Sequence, residues 1–82
     1  MKAEKLIETI VQSIVQYPDD VKIERTVDNQ GILLTVAVND EDKGVVVGKQ
    51  GSVAIALRTI LARLAYKNEE RIALKFAFDN QK

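Results

Sequence analysis

Eighty-two residues, 46% of them apolar and none of them cysteine, make one globular domain without a disulfide framework or a thiolate site. Histidine is absent too, which removes the commonest general base and the commonest zinc ligand. Twelve Lys and Arg balance twelve Asp and Glu, so no bulk field draws nucleic acid and any such binding has to come from a local patch. No apolar run nears the roughly 18 residues of a membrane span. Met1-Lys2-Ala3-Glu4-Lys5 lacks the apolar stretch of a signal peptide, so the cytoplasm is the expected compartment.

Ala3 to Gln16 reads as an amphipathic helix, with Ala3, Leu6, Ile7, Ile10, Val11, Ile14 and Val15 recurring at steps of three and four. Tyr17-Pro18-Asp19-Asp20 stops it, because the residue before proline is pushed out of the α region. Val21, Ile23 and Val27 alternate with polar residues in a first strand, where Arg25 breaks the apolar row. Asp28-Asn29-Gln30-Gly31 is a turn, and Ile32 to Val38 is apolar almost throughout, as expected of a central strand covered on much of both faces. So short a connection makes the pair an antiparallel hairpin.

Asn39-Asp40-Glu41-Asp42 offers an N-cap and an acidic first turn to a short helix ending near Val47. The three acids lack the spacing of a calcium loop, so capping rather than metal binding is expected. Ser52 to Tyr66 is a second strong helix, striped by Val53, Ala56, Leu57, Ile60, Leu61 and Leu64. Lys67 to Glu70 is a loop. In Arg71 to Phe78, Ile72, Leu74, Phe76 and Phe78 alternate with less apolar residues as a third strand. The polar tail 79–82 is expected to fray. The order α-β-β-α-α-β predicts an α+β fold, a three-stranded mixed sheet with three helices on one face and a right-handed parallel crossover between the last two strands.

Between the last two helices stands Val45-Val46-Val47-Gly48-Lys49-Gln50-Gly51-Ser52-Val53. Two glycines bracketing two polar residues give a turn whose backbone can approach another molecule closely. The turn feeds a helix start, where N–H groups without intrahelical partners and the positive dipole end favour an anion. Lys49 adds a mobile cation, so the tetrad reads as a seat for phosphate.

With that tetrad in that place, the chain resembles a KH domain of the type II, bacterial arrangement. Residues 32–78 match the family's core, 1–31 supply the extra helix and strand, and the whole of 1–82 is one domain. Its size and the run Lys43-Gly44-Val45-Val46-Val47-Gly48-Lys49-Gln50-Gly51 are similar to the small single-KH proteins of the KhpA type. The resemblance implies binding of single-stranded RNA, with about four nucleotides clamped along the Gly-x-x-Gly loop. Gly48, Lys49, Gln50, Gly51 and the adjoining Ser52 would hold the backbone. Val46, Val47, Val53 and Ala54 would line or support a groove for bases, and Lys43 and Arg58 would flank it with cations. Ala54 stands where many KH domains carry a bulky aliphatic, which implies a shallower groove wall. No aromatic lies near the loop in sequence to stack on a base.

The resemblance further implies RNA-chaperone or post-transcriptional work tied to cell shape, as a homodimer or with a larger KhpB-type partner. It implies no cofactor. An interaction subunit, in which the tetrad is only a turn, is the alternative, and the neutral net charge favours it. An enzyme is not expected, because no nucleophile–base pair or convergent acid pair is present.

Overall fold

Three strands, β1 (Lys22–Asp28), β2 (Gly31–Ala37) and β3 (Ile72–Phe76), form one sheet in the order β1-β2-β3. The structure is a computed structural model and describes residues 2–77. β1 pairs antiparallel with β2, and β2 pairs parallel with β3, from Ile32↔Ile72 to Val36↔Phe76. Three helices cover one face of this mixed sheet: α1 (Lys2–Ile14), α2 (Lys43–Val47) and α3 (Ser52–Lys67). Short 3-10 turns occupy Pro18–Asp20, Asp40–Asp42 and Lys49–Gly51. Expected order and strand pairing are both met.

The core forms where the helix stripes meet the inward residues of the sheet. Ile7 and Val11 of α1, Leu34 and Val36 of β2, Val46 of α2, Leu57 and Leu61 of α3, and Phe76 of β3 are all fully buried. β2 is central, but only its helix-facing residues are covered by an element. Leu33, Thr35 and Ala37 on the other face are half-buried, shielded by the strands on either side.

Arg25 sits on the helix-facing side of edge strand β1, opposite Leu34, and reaches Glu4 of α1 with Nε 3.9 Å from Oε1. Val27, expected to point inward, is 62% exposed, because it lies at the hairpin-turn end of that edge strand, paired with Ile32. The buried stripe of α3 also differs from the expected one. Ala54, Leu57, Leu61 and Ala65 face inward, Val53 and Leu64 are half-buried, and Ala56 and Ile60 are exposed. The expected third strand reaches Phe78, which lies outside the described residues, as does the tail 79–82.

Asn39 is the expected cap: its Oδ1 accepts the Glu41 N–H at 2.8 Å. Asp42 is not a local cap. Its carboxylate is buried and takes the N–H groups of Gln16 and Tyr17, just beyond α1. Among the described residues no group of acids is arranged to hold a metal ion. No single helix there is long and apolar enough to cross a membrane. The pair 40–47 and 49–67, apolar enough only when taken together, bends by 44°.

Candidate nucleic-acid interface

The Gly-x-x-Gly turn is built by backbone conformations that side chains rarely adopt. Gly48 closes α2 at φ 78°, ψ 171°, a region essentially reserved for glycine. A Cβ there would lie 2.5 Å from the Val53 side chain and 2.6 Å from the Val53 nitrogen. Gly48 is therefore required by packing. Gln50 follows at φ 55°, ψ 29°, and Gly51 at φ 77°, ψ 13°. Holding a glutamine in the left-handed region costs about 1 kcal/mol, and such strain clusters at binding sites. A Cβ at Gly51 would meet nothing within 4 Å.

The hydrogen bonds define what the turn leaves over. The Gly48 N–H donates to Gly44 O at 2.8 Å, the Gly51 N–H to Gly48 O at 3.1 Å, and the Ser52 N–H to Lys49 O. The N–H groups of Lys49 and Gln50 find no acceptor among the described residues. No side chain caps α3. Lys49 and Gln50, which carry these two donors, are exposed, and the space at the neighbouring Gly51 is open. An anion placed here would have two N–H donors and the mobile Lys49 ammonium within reach.

The remaining expected site residues divide. Val47, Val53 and Ser52 adjoin the turn, the first two half-buried and the third exposed. Val46 has no exposure at all and Ala54 is 5% exposed, so both support the turn from within the core and neither lines a groove wall. Lys43 stands at the other end of α2, its Nζ 3.1 Å from Asp40 Oδ1. Arg58 lies further along α3, its guanidinium carbon 5.7 Å from the centre of the Phe76 ring.

That contact marks a feature the sequence reading missed. A cleft of about 210 Å³ runs between α3 and edge strand β3, lined by Arg58, Leu61, Ile72, Ala73 and Leu74. Strand alternation shows which side of β3 faces the helices. Only the sheet order shows that β3 is an edge, which leaves its rim open to solvent. Phe76 lies at the tetrad end of β3 and is buried under Arg58, so its ring offers no stacking face.

The family model for the KhpA/KhpB KH domain matches residues 4–76. The chain belongs to this KH family. Its relatives include the RNA-binding protein KhpA of Clostridium acetobutylicum, 39% identical over 87% of this chain and 95% of that one. KhpA of Lactiplantibacillus plantarum is 39% identical over 94% of this chain and 91% of its own. KhpA of Listeria monocytogenes is 38% identical over 88% and 95%. No solved structure matches the chain. The match takes in both arms of the Gly-x-x-Gly turn and all three strands of the KH sheet.

Proposed function

We propose that this KH domain binds single-stranded RNA without catalysis. The phosphate backbone sits on Gly48-Lys49-Gln50-Gly51 and Ser52. Bases enter the cleft between α3 and β3 lined by Arg58, Leu61, Ile72, Ala73 and Leu74. Val47 and Val53 adjoin the turn, Val46 and Ala54 support it from the core, and Lys43 and Arg58 are the outer cations. One observation carries the reading: two backbone N–H donors stand beside an exposed lysine and an unfilled space at Gly51. The family match and the relatives, RNA-binding protein KhpA of other bacteria, support it. The protein works in the cytoplasm as an RNA chaperone or post-transcriptional regulator, as a homodimer or with a larger KhpB-type protein. The alternative, an interaction subunit with a structural turn, draws on the exposed apolar residues Ile55, Ile60 and Tyr66 of α3 and on the zero net charge.

The double change Lys49→Asp plus Gln50→Asp tests the proposal. It removes one cation and adds two anions at the seat, in an exposed turn where acids suit the dipole of α3. Titration of a fluorescent single-stranded RNA should show binding abolished, with the melting temperature unchanged. If the folded double variant binds as well as wild type, the interaction-subunit reading takes its place.

A further inference from the structure

Asp42 occupies the N-cap position of α2 yet makes no capping bond to that helix. It is 1% exposed, and both carboxylate oxygens are committed elsewhere. Oδ1 accepts the Gln16 N–H at 2.9 Å, and Oδ2 accepts the Tyr17 N–H at 3.0 Å. Burying a carboxylate is costly unless charged hydrogen bonds compensate it. Here the compensating donors are backbone groups just past the end of α1, about 25 residues back in the chain. A second link runs outside the first, from Asn39 Nδ2 to Asp20 Oδ2 at 2.8 Å. With the Tyr17 hydroxyl donating to Glu41 Oε1 at 3.5 Å, the segment after α1 and the segment before α2 are thereby joined at Asn39, Glu41 and Asp42.

What hangs from this junction is the tetrad. α2 has only five residues and ends directly at Gly48. A helix of that length has no stability of its own, so its direction is set by what holds its ends. Val46 anchors it in the core from the middle, and Asp42 anchors its start. We infer that Asp42 is a positioning residue for the Gly48–Gly51 turn. Through two backbone hydrogen bonds it ties the aim of that turn to the end of the N-terminal helix. For RNA the inference rests on the binding proposed above, while its structural half stands apart from it. The requirement is specific to a carboxylate. Asparagine of the same shape keeps one acceptor and turns an NH₂ group toward the other backbone N–H.

The test is Asp42→Asn, compared with Leu34→Val, a core change in β2 away from the turn. Affinities for a short single-stranded RNA and amide hydrogen exchange are measured on both, each referred to its own melting temperature. Asp42→Asn should speed exchange at Gly48 and Gly51 about tenfold beyond the Leu34→Val protein. It should also weaken RNA binding about fivefold while the domain stays folded. Equal exchange and equal affinity in the two variants would overturn the inference. If wild type and the Lys49/Gln50 double variant bind RNA alike, the binding proposal fails, and exchange alone decides the positioning role. If Asp42→Asn does not fold, Asp42→Glu keeps the carboxylate on a longer stem and displaces both acceptors from the Gln16 and Tyr17 N–H groups. It should show the same acceleration at Gly48, smaller in size, and its absence would likewise overturn the inference.

Discussion

The chain contains two glycine-bearing turns, and they are finished in opposite ways. In the turn between β1 and β2, the Gln30 N–H is taken by Asp28 Oδ1 at 2.8 Å. The neighbouring Ile32 N–H is taken by Arg71 O at 2.7 Å. Gly31 is pressed so close to Arg71 that a Cβ would lie 2.5 Å from its carbonyl oxygen. In the turn between α2 and α3, Gly48 is equally closed against Val53, but two N–H groups are left over and Gly51 faces open space. In the first turn Asp28 and Arg71 take up donors on either side of the glycine and fill the space around it. On the binding proposed above, the donors and the open space of the second turn are what phosphate would meet.

The contrast can be broken by experiment. The largest effect is expected from Gly31→Ala. The new methyl meets backbone atoms of Arg71 that cannot swing aside. Chemical denaturation should register a loss of about 3 kcal/mol or more, with RNA affinity of the folded fraction unchanged. A loss under about 1 kcal/mol would mean that the turn is not closed as described. Next comes the Lys49→Asp plus Gln50→Asp pair, which should lower RNA affinity by at least about thirtyfold. Stability should move by less than about 0.5 kcal/mol. The two turns would then separate cleanly, one governing stability and the other binding.

Salt dependence sharpens the comparison further. With about two phosphates neutralised, the single-strand slope gives a loss of roughly sevenfold between 50 and 200 mM salt. A much steeper loss in titrations across that range would show that cations beyond the tetrad carry the binding. The smallest effect is Gly51→Ala. No atom stands in the way of the methyl, so only the left-handed backbone is penalised, by about 1 kcal/mol. RNA affinity should still fall, because the methyl occupies the open space. Unaltered affinity would move the phosphate elsewhere.

Element order and the tetrad were legible in the sequence because both are local: periodicity within each segment, and glycines flanking Lys49 and Gln50. What was not legible depends on contacts between segments. Hydrophobicity ranks Ile60 above Ala54 and Ala65, yet α3 turns those two alanines inward and Ile60 outward, and small side chains there let the helix pack closely. Val27 alternates correctly but sits at an edge, and alternation does not mark edges. Asp42 looks like the third member of a capping cluster. Its true partners, Gln16 and Tyr17, cannot be deduced from spacing. Val46 belongs to the motif that resembles a nucleic-acid groove, but a five-residue helix needs one side chain in the core, and Val46 is that one.

The parallel pairing of β2 with β3 has a kinetic consequence. Ile32 meets Ile72 only after the whole stretch carrying α2, the Gly-x-x-Gly turn and α3 has been closed into a loop. Closing a long loop costs entropy before any contact repays it, which slows folding relative to a purely helical chain of the same size. The tetrad lies inside that loop, and α2 is too short to hold its shape alone. The turn proposed to seat phosphate therefore assembles in the same cooperative step that completes the sheet, and a partly folded chain would not present it.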